Sequence, residues 1–129
     1  MISFQAFRQT DGTPIYLQII RYIQQGLAAG TIRDGDELPS RRVLSALLAV
    51  NPNTVQKAFK QLEDEGLVTS RAGAKSYIQA TPEQIAVLRR ELLETELQTM
   101  VDAARRMGLT REEAHRLLDT LYDKEGTDA

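Results

Sequence analysis

The chain contains no cysteine, which excludes a disulfide framework and any thiolate metal site. Its single histidine, His115, leaves too few imidazoles for a histidine-based metal site. The longest apolar run, ALLAV at 46–50, is too short to cross a bilayer, and the opening MISFQAFRQ lacks the apolar core of a signal peptide. These absences lead to the expectation of a cytoplasmic protein with no membrane partner, no metal and no cofactor. Catalytic constellations are missing too. There is no nucleophile paired with a base, no carboxylate pair in a recognisable frame and no glycine loop to cradle a phosphate, so an enzyme is not expected. The acids of DGDE at 34–37 are of a type that binds cations, but acidic residues in a connector are far more often solvated.

What is present suits a globular fold. The 129 residues are 42% hydrophobic and 26% charged, enough for one domain or a small domain with an appendage. The net charge of −2 argues at first sight against nucleic acid. It hides an asymmetry. Residues 1–80 hold nine Lys/Arg against seven Asp/Glu, while residues 81–129 hold seven against eleven. The window Leu38 to Leu62 contains Arg41, Arg42, Lys57 and Lys60 and not one acid. Screening confines a field to about 8–10 Å, so a local basic patch matters more to a polyanion than the net charge does.

Periodicity predicts five helices and one hairpin. Thr13-Pro14 opens a helix striped by Tyr16, Ile19, Ile20, Ile23 and Leu27, and Gly30 ends it. After the connector TIRDGDE, Ser40 caps a second helix, whose buried stripe is expected at Val43, Leu44, Leu47 and Leu48. A short turn through Ala49–Asn51 leads to a third helix, with Asn51 as N-cap, Pro52 at the first helical position and Gly66 as the stop. Val55, Ala58, Phe59 and Leu62 share its inner face. Asn53, Gln56, Lys57 and Lys60 share the outer one, which is expected to carry amides and ammonium groups and no carboxylate. Leu67–Arg71 and Lys75–Gln79 read as a hairpin around Ala72-Gly73-Ala74. A tight pair of helices followed directly by a hairpin is the order of a winged helix-turn-helix.

The remainder is helical. Thr81-Pro82-Glu83-Gln84 is a capping box that starts a long helix to about residue 107, and Thr110 with Glu113 starts a shorter one to 123. Leu93, Leu97, Met100, Ala104 and Met107 stripe the first, and Ala114, Leu117, Leu118 and Leu121 the second. The expected fold is therefore mainly α with a small β-hairpin (α+β). A winged helix-turn-helix domain occupies 1–80 and an antiparallel two-helix hairpin 81–129. A long helix against a short one leaves apolar surface open, so Leu93, Leu97, Met100, Ala104, Met107, Leu117 and Leu121 are candidates for pairing with a second copy.

The strings PIYLQII (14–20) and LPSRRVLSALLAVNPNTVQKAFKQLEDEGLV (38–68) resemble the winged-helix domain of the GntR family of bacterial transcription regulators. The wording NPNTVQKA and the short helical tail look like its YtrA-like subfamily. The resemblance implies a homodimer on an inverted-repeat operator, with the recognition helix (52–65) in the major groove and the wing (67–79) at the flank. It implies repression by analogy, since YtrA-like relatives commonly repress operons containing ABC transporters. The family's arginine after Leu-Pro-Ser-x is Arg42, and the usually acidic position before it is Arg41. Two positions often held by arginine in the recognition helix are Pro52 and Gln56, so the relatives' base preference does not transfer. The wing glycine matches Gly73, and Lys75 stands where a second glycine is common. The expected DNA-contacting set is Ser40, Arg41, Arg42, Asn51, Asn53, Thr54, Gln56, Lys57, Lys60, Gly73 and Lys75. Asn53 and Gln56 are placed to read adenine, and the lysines to meet phosphate. The competing reading is a winged helix that binds protein or RNA without reading an operator. A small-molecule effector, if any, is expected in a crevice between two copies, because two helices enclose little volume.

Overall fold

A computed structural model of the chain describes residues 1–71 and 75–128, with side chains described through Lys124. The elements follow the predicted order: α1 (Ile15–Ala29), α2 (Arg41–Leu48), α3 (Pro52–Asp64), β1 (Val68–Arg71), β2 (Lys75–Ile78), α4 (Pro82–Arg106) and α5 (Arg111–Asp128). They fall into two compact units, Met1–Arg90 and Glu91–Ala129. The first unit runs ten residues past the boundary expected at 80, because Ile85 and Leu88 of α4 pack against its core.

That core gathers Ile19, Ile20, Ile23 and Leu27 of α1, Leu44 of α2, Val55, Ala58, Phe59 and Leu62 of α3, and Val68 and Ile78 of the hairpin. Pro14 provides no side-chain cap for α1. Gln18 folds back instead. Its Oε1 accepts from the Thr10 N–H at 2.9 Å, and its Nε2 donates to the carbonyls of Thr10 at 2.8 Å and Thr13 at 2.7 Å. At the other end Gly30 adopts φ 83°, a left-handed conformation that costs glycine little, and its N–H satisfies carbonyls of the last turn.

Two segments are more ordered than their sequences suggest. Residues 1–10 form a strap over α1. Ile2, Phe4 and Phe7 are buried, and Phe4 stacks on Tyr22 with ring centroids 4.8 Å apart. The Tyr22 hydroxyl donates to the Ser3 carbonyl at 2.7 Å. The connector before α2 lies along β2: Gly35 N–H donates to the Ile78 carbonyl and Leu38 N–H to the Ser76 carbonyl, both within 2.9 Å. The wing hairpin thus gains a third backbone neighbour. β1 and β2 are antiparallel, with Val68 opposite Ile78, Thr69 opposite Tyr77, and Arg71 opposite Lys75.

In the second unit the apolar residues find little cover. No residue of α4 is buried. Gly108 (φ 73°) makes the turn to α5, and the two helices leave an apolar groove of about 500 Å³ between them. Met100, Val101, Ala104, Leu109, Ala114 and Leu118 line it. Leu93, Leu97, Met100, Leu117 and Leu121 are each 43–52% exposed, and Met107, just beyond the end of α4, is 81% exposed.

Candidate nucleic-acid interface

The interface is built on α2, α3 and the wing. Ser40 caps α2, its Oγ accepting from the Val43 N–H at 3.1 Å, which contributes about 1 kcal/mol to helix stability. The stripe expected inside α2 is corrected here. Leu44 is fully buried and Leu48 half-buried, but Val43 and Leu47 are 57% and 63% exposed. The inward column is instead Arg41, Leu44, Ser45 and Leu48. Polar residues fit there because each has local company. Ser45 Oγ donates to the Arg42 carbonyl at 3.0 Å, and the Arg41 guanidinium lies 5.7 Å from the centre of the Phe59 ring. Arg41 is therefore half-buried against α3, with its Nε lacking an acceptor, while Arg42 is exposed at the amino end of α2.

Ala49 closes α2 at φ 56°, an unusual conformation for a residue with a Cβ, and this tight corner lets α3 start three residues later. The strap braces the corner: Gln9 Nε2 donates to the Leu48 carbonyl at 2.9 Å. Asn51 then caps α3, its Oδ1 accepting from the Asn53 N–H at 2.8 Å, with Pro52 following as predicted. The side-chain oxygens of Ser40 and Asn51 are thus committed to capping. Thr54 is half-buried beside them.

On the outer face of α3 the side chains of Asn53 and Gln56 are exposed and hold no hydrogen bond among the described residues. The two lysines differ. The Lys57 ammonium sits 4.0 Å from the centre of the Tyr16 ring of α1. Lys60 Nζ is bonded to Asp64 Oδ1 at 2.8 Å, which holds its ammonium pKa above the ordinary lysine value, first through the hydrogen bond and then through the charge. The outer stripe runs on to Asp64 and does carry a carboxylate, contrary to expectation. The sequence reading ended the stripe one turn too early.

The wing adds a feature that the same reading passed over. Arg71 ends β1 with its guanidinium 4.4 Å from the Tyr77 ring centre, directly opposite Lys75. Like charges placed opposite each other across a ladder are destabilising without a counter-anion. The hairpin register was the signal that could have found this pair. Gly73 lies outside the described residues. Two of the DGDE acids are occupied by backbone N–H groups: the exposed Asp34 accepts through Oδ1 from the Ala80 N–H, and the half-buried Asp36 through Oδ2 from the Arg33 N–H. Among the described residues no group of three or more acids and histidines is placed to hold a metal ion.

Taken together, capped helix termini, unpaired amides and cations at Arg42, Lys57 and the wing tip provide donors for phosphate and bidentate groups for base edges. Comparison with known proteins identifies the family of the fold that carries this geometry. A model of bacterial regulatory proteins of the gntR family matches residues 15–78. The HTH-type transcriptional repressor YtrA of Bacillus subtilis is 35% identical over 106 residues, which cover 81% of this chain and 82% of that protein. A GntR family transcriptional regulator from Listeria monocytogenes superposes with a TM-score of 0.79 at 28% identity, covering 87% of this chain and 98% of the other. YtrA from Sulfolobus acidocaldarius, described as a GntR-family transcription factor, superposes with a TM-score of 0.56 at 30% identity, covering 78% and 99% of the two chains.

Proposed function

The chain belongs to the gntR family of bacterial regulatory proteins and is a DNA-binding transcription regulator; from that premise we propose that it represses transcription as a homodimer on an inverted-repeat operator. In this reading α3 enters the major groove, Arg42 and Lys57 meet phosphates, and Arg71 and Lys75 carry the wing along the flanking backbone. The observation that carries it is the pair of exposed amides, Asn53 and Gln56, one turn apart and without a hydrogen-bond partner among the described residues. Each free carboxamide carries a donor and an acceptor that pair in bidentate fashion with the edge of an adenine. The name of the Bacillus subtilis relative supports repression.

Dimerisation is supported by the open stripe of Leu93, Leu97, Met100, Ala104, Met107, Leu117 and Leu121. A run of exposed large apolar side chains along one helical face marks an interaction surface. The operator of such a dimer is expected to hold two half-sites on one face of the duplex, about 34–36 Å or a multiple of it apart. The protein acts in the cytoplasm, and a small-molecule effector would bind between the copies. None of the helices among the described residues is long and apolar enough to cross a membrane.

The test is a binding titration against single-base variants of an inverted repeat selected by the protein from a randomised pool. Gln56→Ala is expected to lose about 1–3 kcal/mol of discrimination at one position of each half-site, with binding to random sequence unchanged. Equal weakening on every variant would remove α3 as the reading helix. Binding to RNA or protein with no duplex affinity would favour the competing module.

A further inference from the structure

The two lysines on the outer face of α3 are held in electrostatically different ways. Lys57 lies over the Tyr16 ring, whose negative face attracts a cation without cancelling its charge. Lys60 is held by a full carboxylate at 2.8 Å, so the pair as a whole is neutral. Both partners of that pair are exposed, Lys60 at 63% and Asp64 at 61%, so the contact is not a by-product of burial.

Asp64 is poorly explained as a stabiliser of its own helix. It sits in the last turn of α3, where the dipole favours cations, and that turn contains no basic residue. A lysine followed four residues later by an acid is also the weaker orientation for a helical ion pair. The neighbouring acids have other attachments. Glu63 Oε2 accepts from Ser70 Oγ of β1 at 3.4 Å, and Glu65 Oε1 accepts from Gln24 Nε2 of α1 at 3.1 Å. Glu63 also acts on Lys60 through its charge, but more weakly, and of the three acids only Asp64 is hydrogen-bonded to the outer stripe.

We propose that Asp64 is a specificity-determining residue: it withholds Lys60 from the phosphate backbone, lowering affinity for DNA of any sequence and leaving Lys57 as the standing anchor of α3. The inference rests on the placement of α3 against duplex DNA proposed above. Binding to random sequence comes almost entirely from phosphate contacts, and there the helix is free to shift until each cation finds an oxygen. At the operator, base contacts through Asn53 and Gln56 set the register, and a freed Lys60 gains only if a phosphate lies within its reach. Removing the carboxylate therefore strengthens the wrong complexes more than the right one, which is specificity gained through a repulsive element.

The experiment compares wild type, Asp64→Asn, Asp64→Glu and the double variant Asp64→Asn/Lys60→Gln on a random-sequence duplex and on the selected inverted repeat, at several salt concentrations. Asp64→Asn should bind random sequence about three- to eightfold more tightly near 0.1 M salt, and steepen the log–log salt dependence by about 0.9 for each copy bound. Its affinity for the inverted repeat should change less, so the specificity ratio falls. Asp64→Glu retains a carboxylate one methylene longer and should stay close to wild type. The double variant should lose the gain. Unchanged random-sequence affinity and slope in Asp64→Asn would overturn the proposal, as would a gain that persists in the double variant. Failure of the wild-type chain to bind any duplex would instead sink the functional reading itself. All substitutions are at exposed positions, and a thermal melt of each variant checks that the fold is intact.

Discussion

Helix α3 and the pair α4–α5 carry apolar stripes of the same spacing, yet one is shut away and the other lies open. Val55, Ala58, Phe59 and Leu62 are at most 1% exposed because α1, α2 and β1 close over them. Leu93, Leu97, Leu117 and Leu121 remain about half exposed, and an apolar groove runs between their helices. A helical stripe records a demand for burial without naming the partner that meets it. In the first unit the partner is the same chain. In the second the demand is unmet within the unit, which is the physical basis for assigning it to another copy.

The largest effect expected from breaking this contrast is at Leu97. Leu97→Glu places a charge in the open stripe, where a monomer tolerates it and a dimer does not. The variant should become monomeric by light scattering at micromolar concentration. Its affinity for an inverted repeat should fall by about 10²–10⁴, the advantage of binding the second half-site intramolecularly. The melting transition of the first unit should be unaffected. A dimer of undiminished operator affinity would show that the open stripe is not the interface.

Leu62 probes the other side. It is fully buried, and Leu62→Ala should cost about 2–5 kcal/mol of folding stability through lost transfer energy and a residual cavity. Denaturant titration reads this as a lower midpoint. Random-sequence and operator binding by the folded fraction should keep their ratio, because the substitution touches no outward group. A changed base preference without a change in midpoint would contradict the assignment of inner and outer faces.

How legible the chain was depended on whether local chemistry left one answer open. The limits of α3 were readable because Asn51 and Pro52 start a helix in only one place, and the structure uses both as predicted. In α2 the residues allowed two inward columns. Counting hydrophobicity favours Val43 and Leu47, whereas the fold chose Arg41, whose guanidinium lies against the Phe59 ring, and Ser45, whose hydroxyl donates to the Arg42 carbonyl. The Arg41–Phe59 contact is between helices, and no wheel contains it. The strap was unreadable for a different reason: Ile2, Phe4 and Phe7 follow neither a helical nor a strand period, and their burial depends on Tyr22. The interface residues were legible as types. The ring under Lys57 was not, because it comes from α1, whereas Asp64 was within reach of the sequence, four residues past Lys60 in a helix expected to run to residue 65.

The smallest effect compares the starts of the last two helices, which use the same reciprocal cap with one change of residue. At α4, Gln84 N–H donates to Thr81 Oγ1 at 3.1 Å while Thr81 N–H donates to Gln84 Oε1 at 2.8 Å. At α5, Glu113 and Thr110 repeat the exchange with both distances at 3.1 Å. Only the second cap can titrate. The Thr110 backbone N–H, and then its hydroxyl, hold the Glu113 carboxyl below its ordinary value. A carboxylate whose pKa is depressed by folding stabilises the folded form above its unfolded value, about 4.3, and that contribution is lost as pH falls through the folded one. The first turn of α5 should therefore loosen below about pH 4 while the first turn of α4 does not. Hydrogen exchange at the Glu113 and Gln84 amides, corrected for intrinsic rates, measures the two side by side. Glu113→Gln should make the α5 cap as indifferent to acid as that of α4. If Glu113 and Gln84 lose protection in parallel in the wild-type chain, the loss is global and the cap is not its cause.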